Sequence, residues 1–141
     1  MKTKINGKVQ THLNFEGRCE EALEFYRQAL GAEVDMLLRY SEAPPTGMCA
    51  PPGSEQKIMH ASFRVGDVNL MASDGRCTGR PVFEGFSLGL SVATEAEVDQ
   101  IFNALAEGGQ VRMPPGKTFF SPRFGMVADR FGVVWMVLVR P

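Results

Sequence analysis

The chain gives the same order of elements twice, and this constrains its fold more than any other feature. Val9, Thr11, Leu13 and Phe15 alternate with Gln10, His12, Asn14 and Glu16, which predicts a strand over 9–16 with one apolar and one polar face. After Gly17, Ala22, Leu23, Tyr26, Ala29 and Leu30 recur at helical spacing, and Gly31 supplies a stop. Glu20 and Glu21 sit in the first turn, where negative charge suits the helix dipole. The second copy starts at Phe86, Leu88, Leu90 and Val92, which alternate with Ser87, Gly89 and Ser91. Thr94-Glu95-Ala96-Glu97 has the form of a capping box, ahead of a stripe of Val98, Ile101, Phe102 and Leu105 that ends at Gly108-Gly109. A repeat of half the chain length is too long for a solenoid, so it reads as two paired half-domains.

More strands follow each helix. In the first half they are predicted at 34–40, 57–65 and 68–73, with Gly66-Asp67 as a turn between the last two. In the second half they start at Val111 and cover 125–129 and 133–139, with Pro114-Pro115-Gly116 opening a loop. Ser41 to Gln56, rich in Pro and Gly, reads as a long loop, and Asp74 to Gly85 as the linker between halves. The expected boundaries are residues 1–75 for the first module and 76–141 for linker plus second module. Runs of strands after a single helix do not fit a doubly wound parallel sheet. The fold class expected is α+β: two βαβββ modules forming curved, mostly antiparallel half-barrel sheets around a shared pocket.

With 141 residues the chain has the usual size of one compact domain. A net charge of −1, from 15 basic and 16 acidic residues, leaves no electrostatic footprint for nucleic acid or an anionic membrane. No apolar run approaches the roughly 20 residues that span a bilayer. Met1 to Asn6 lacks the apolar stretch of a signal peptide. Cys19, Cys49 and Cys77 form no CxxC pair, so a reducing cytoplasm is the expected location. Cys19 lies at a helix start, which lowers a thiol pKa, but Glu20 and Glu21 beside it oppose that effect.

Four segments then carry a family likeness: His12-Leu13-Asn14-Phe15, Glu20 to Tyr26, Lys57-Ile58-Met59-His60-Ala61, and Phe124 to Asp129 followed by Phe131-Gly132-Val133-Val134-Trp135. In order and spacing the chain resembles the vicinal oxygen chelate superfamily of glyoxalases, fosfomycin- and bleomycin-resistance proteins and extradiol dioxygenases. It is most similar to the PhnB-like, or 3-demethylubiquinone methyltransferase-like, branch. The resemblance implies paired βαβββ modules, a small-molecule ligand and a homodimer. It also implies a divalent cation held by His, Glu or Gln from the first and last strand of each module. Of those positions only His12 fits. Leu70, Met71 and Ala72, then Ser87, Gly89 and Ser91, then Trp135 or Met136 stand where the other ligands are expected. One imidazole cannot hold such an ion tightly. Nor is there a Gly-rich strand-to-helix turn suited to a nucleotide-like methyl donor.

The residues also suggest a site of their own. His60 shares the polar face of its strand with Ile58, Ser62 and Arg64, so His12, Glu16, His60 and Arg64 are candidates to converge. Imidazole suits proton transfer or metal ligation, and Arg suits a carboxylate or phosphonate. His12 and His60 are the expected catalytic groups, with Glu16, Arg64, Phe120 and Trp135 contacting ligand. Each has a structural alternative: His12 a hydrogen-bonding group inside a polar pocket, His60 a satisfied strand histidine, Glu16 a solvated strand end, Arg64 a surface ion pair, Phe120 and Trp135 core. Three functions follow. One is metal-free binding of a small organic molecule. The second is a divalent-metal lyase, isomerase or dioxygenase using His12 with His60 or Glu16. The third is a non-catalytic dimeric scaffold.

Overall fold

The computed structural model describes residues 2–43 and 52–140. Eight strands and two helices follow in the order β1 (His12–Asn14), α1 (Cys19–Leu30), β2 (Glu33–Arg39), β3 (Ile58–Val65), β4 (Val68–Ser73), β5 (Leu88–Val92), α2 (Glu95–Ala106), β6 (Gln110–Gly116), β7 (Phe124–Ala128) and β8 (Val134–Val139), among the described residues. A single 3-10 turn, Tyr40–Glu42, follows β2. The strands form two four-stranded sheets, β1-β4-β3-β2 and β5-β8-β7-β6. In each, the outer pair is parallel (β1 with β4, β5 with β8) and the other pairs are antiparallel. The fold is therefore α+β, with the strand-helix-strand-strand-strand order occurring twice. The chain divides into two compact units, Met1–Glu24 with Gly31–Arg80, and Phe25–Leu30 with Pro81–Pro141.

In the first unit Leu13, Phe15, Ala22, Leu23, Ile58, Ala61, Phe63, Leu70 and Ala72 form the core. Asp74, directly after β4 and 1% exposed, ties three elements together. Its Oδ1 accepts from the Cys19 amide at 2.8 Å, one of the first-turn amides that a helix cannot satisfy itself. Its Oδ2 accepts from the Ile58 amide at 2.6 Å, and its own amide donates to Ile58 O at 2.8 Å.

In the second unit Val98, Phe102 and Leu105 of α2 are buried along with Val127, Val133, Trp135 and Val137. Thr94 caps α2, its Oγ1 accepting from the Glu97 amide at 3.2 Å and donating to Glu97 Oε1 at 3.0 Å. Asp129, 3% exposed, accepts from four donors: the amides of Phe131 and Val133, Tyr26 Oη at 2.5 Å and Trp135 Nε1 at 2.9 Å. Gly109 does more than stop a helix. A Cβ there would lie 2.2 Å from the Ala128 carbonyl oxygen, so only glycine lets the chain pass β7 this closely.

The expected elements differ from the observed ones in three places. The strand predicted over 9–16 is paired only at His12–Asn14, because its one neighbour, β4, meets it at three register positions, and Val9 is 94% exposed. Pro114, Pro115 and Gly116 belong to β6 instead of opening a loop. β6 is an edge strand, where a missing N–H costs no ladder bond, and its register with β7 shifts between Met113 and Gly116. Residues 44–51 of the long loop lie outside the described residues. The third difference is a β-bulge: Leu38 pairs with His60 but Arg39 with Ile58, so Met59 is an extra residue on β3. Ile58 therefore leaves the face of His60 and enters the core, where it is fully buried.

Candidate functional site

The bulge has a consequence for chemistry. An open cleft of about 630 Å³ in the first unit is lined by Met59 and His60 from the bulge, by His12 and Asn14 from β1, and by Ser73 from the end of β4. Tyr40 of the 3-10 turn completes it, with Gly75 and Arg76 from the turn after β4. His12 and His60 are the chain's two histidines. Their ring centroids lie 5.9 Å apart with planes tilted by 37°. His12 Nε2 is held by Ser73 Oγ at 2.9 Å, which fixes the ring. Burial, and second the charge of a protonated His60, push the His12 pKa below its ordinary value. At neutral pH His12 is thus an uncharged imidazole hydrogen-bonded to a hydroxyl, able to take or give a proton.

The turn after β4 is bonded on every side. Tyr40 Oη donates to Gly75 O at 2.9 Å, the Cys77 amide to Asp74 O at 2.9 Å, and the Gly79 amide to Glu16 O at 2.7 Å. Gly75 has φ +56°, and a Cβ on it would stand 2.3 Å from the Asn14 side chain. Burial first, then the nearby Cys77, Asp74 and Glu16, push the Tyr40 hydroxyl pKa up, so it stays a donor.

Of the residues expected to converge, the structure brings His12 and His60 together. Glu16 is close in sequence but absent from the cleft lining. Its carboxylate accepts from Asn14 Nδ2 at 2.7 Å and from the Thr78 amide at 3.1 Å. Burial alone would raise the Glu16 pKa, but the bonds from Thr78, Asn14 and the Arg76 backbone outweigh it and hold the carboxyl below the usual range. Arg64 is not in the cleft. Four residues along β3 from His60, or about 13 Å at ~3.3 Å per residue, it bonds Glu33 Oε2 at 2.6 Å and Asp35 Oδ2 at 3.5 Å. Phe120 and Trp135 are not lining residues either. Phe120 stacks edge-on with Phe119 and Phe124, and Trp135, 2% exposed, is core held by Asp129.

Sequence reasoning missed Tyr40, Asn14, Met59, Ser73, Gly75 and Arg76. The stretch read as linker starts with two of them, and its one signal was an arginine bracketed by Gly75 and Gly79. Cys19 is buried, and burial, then Asp74 and Glu20, push its thiol pKa far up, which leaves it unreactive.

The metal implied by the superfamily does not fit the donors present. Among the described residues no three His, Cys, Asp or Glu side chains group so as to hold an ion. His12 Nε2 is already engaged by Ser73. A tight divalent site needs several converging O or N donors.

The paired strand-helix-strand-strand-strand modules give the chain a glyoxalase-like fold. A glyoxylase/bleomycin resistance protein/dioxygenase domain from Frankia sp. EAN1pec has this fold, with a TM-score of 0.70 over 98% of this chain and all of that one, at 14% identity. The family model for 3-demethylubiquinone-9 3-methyltransferase matches residues 7–138, and the chain belongs to that family. Protein YjdN of Escherichia coli K12 is 33% identical over 93% of this chain and 94% of its own. Protein PA1353 from Pseudomonas aeruginosa superposes with a TM-score of 0.82 at 41% identity, covering 96% of this chain and 98% of that one. A PhnB protein from Bacillus cereus, described as a putative 3-demethylubiquinone-9 3-methyltransferase, gives 0.78 at 33% identity over 94% and 99%. No helix among the described residues is long and apolar enough to cross a membrane.

Proposed function

We propose that the chain binds a small organic molecule in the cleft between His12 and His60, with these two imidazoles as the groups that contact it and exchange protons with it. The observation that carries this reading is the meeting of the chain's two histidines, 5.9 Å apart, in a cleft of about 630 Å³. That volume is within the range of small-molecule sites, and a few polar groups beside apolar wall such as Met59 is their usual composition. A metal-free site is favoured, because the donors do not group around an ion. A homodimer is supported by the apolar side chains exposed on the edge strands, Val34 and Met36 on β2 and Val111 and Met113 on β6. Free thiols at Cys19 and Cys77 fit a reducing cytoplasm.

The test is a fragment screen read on the two imidazole NMR signals, with His12→Ala and His60→Gln as comparisons. Fragments that move both signals and bind more weakly to each variant support the reading. Fragments that bind equally well to both variants overturn it. Metal content of the untagged protein by elemental mass spectrometry tests the metal-free part, which a stoichiometric ion lost in His12→Ala would refute.

A further inference from the structure

Among the described residues the cleft lining holds three basic side chains, His12, His60 and Arg76, and no Asp or Glu. Among the described residues the Arg76 guanidinium makes no ion pair, whereas Arg18, Arg39, Arg64 and Arg123 each pair with a carboxylate. The neighbouring acid, Glu16, is taken up by Asn14 and Thr78. Arg76 also sits on a turn whose backbone is bonded to Glu16 and to Tyr40, so its anchor point is set before any ligand arrives. An unpaired cation on a fixed support, beside imidazole and phenol groups, is arranged to receive negative charge.

We propose that the cleft takes a small organic carboxylate, its two oxygens held by the Arg76 guanidinium next to His60 and His12, and its apolar body against Met59 and the Tyr40 ring. The guanidinium fork matches a carboxylate in plane and in charge, and among the described residues Arg76 is the one permanent charge of the lining, which balances a single negative charge. This inference rests on the cleft being the ligand site.

The test uses the full chain and three probes: benzoate, its neutral counterpart benzamide, and the dianion phenylphosphonate. Binding is read on the two histidine imidazole signals in the wild type, Arg76→Gln, Arg76→Lys and Arg64→Gln. Arg76 is exposed and its turn is held through backbone groups, so Arg76→Gln is expected to fold, which its amide spectrum verifies. Benzoate is expected to move both imidazole signals. Benzamide and the Arg76→Gln variant are each expected to weaken binding by about tenfold or more, the usual scale of one charge-assisted pair, with Arg76→Lys between and Arg64→Gln unchanged. Equal binding of benzamide, with no effect of Arg76→Gln, overturns the carboxylate assignment while leaving the cleft as a ligand site. Tighter binding of phenylphosphonate than benzoate overturns the single-charge match. No movement of either signal with any probe overturns this inference and the cleft reading together.

Discussion

Replacing Asp74 tests how the first unit and its cleft are held. Its carboxylate accepts from two buried amides, Cys19 at the start of α1 and Ile58 at the start of β3. Asp74→Ala leaves both donors without a partner. A buried donor left unsatisfied costs about 1–3 kcal/mol, so the pair should lose roughly 2–6 kcal/mol, a large share of the ~5–15 kcal/mol that holds a typical domain together. Asp74→Asn keeps one acceptor oxygen but sets its NH₂ against the other amide, so it should lose about half as much, roughly 1–3 kcal/mol. Equilibrium urea unfolding followed by circular dichroism gives these differences, and native-state hydrogen exchange locates them at the Cys19 and Ile58 amides. Because His60 lies two residues past Ile58 and Arg76 two past Asp74, both imidazole signals should shift as well. An alanine variant that loses less than about 1 kcal/mol, with Cys19 and Ile58 amides still protected, would refute the argument that this carboxylate joins helix, bulge and turn.

Four further outcomes are expected. His12 should titrate below its ordinary value, chiefly through burial, and His60→Gln should raise it part of the way back. Because the native state then binds fewer protons than the unfolded chain, stability should fall as pH drops through about 6.5. An NMR titration with His12 at or above 6.5, unmoved by His60→Gln, sinks this. Arg64→Ala should change stability by less than about 1 kcal/mol, since its ion pairs are solvent-exposed, and a larger loss in urea unfolding would show that it does more than pair on the surface. Gly109→Ala should cost more than about 2 kcal/mol, because its Cβ meets a backbone carbonyl that no rotamer change can move away, and a melting temperature equal to wild type would contradict the packing described. In a Cys49→Ser, Cys77→Ser background, Cys19 should resist a thiol reagent until the chain unfolds, whereas rapid native labelling would mean that its amide and side chain are not buried as described.

Much of the fold was legible because each half repeats periodicities that have a physical cause. The apolar stripe of α2 and the Thr94 cap placed that helix within a residue or two, whereas the alternation at Leu13 and Phe15 located β1 but overran it at both ends. The site was less legible, for reasons specific to it. Alternation assigns a face but not a position along the strand, so Arg64 was grouped with His60 although four residues of rise separate them and Glu33 lies across from it. The bulge at Met59 breaks the period without a glycine or proline to announce it. Arg76 lies in a polar, Gly-bracketed stretch with no periodicity, and the place of its turn depends on a bond donated to Glu16 and one accepted from Tyr40, both far away in sequence.

This division bears on function. The residues that carry the family likeness, His12 to Phe15 and Lys57 to Ala61, build strands and core, with His12, Asn14, Met59 and His60 also reaching the cleft. Among the described residues the only permanent charge in the lining, Arg76, comes instead from a turn, where a substitution need not disturb the sheet or its register. Two chains can therefore share these strand segments and the fold while differing in ligand, because the charge that selects the ligand sits on a separate support. For chains of this pattern the residue two past the buried aspartate after β4 is then a better guide to ligand charge than the strand motifs. A chain with a neutral residue there should prefer neutral fragments over benzoate even with both histidines in place.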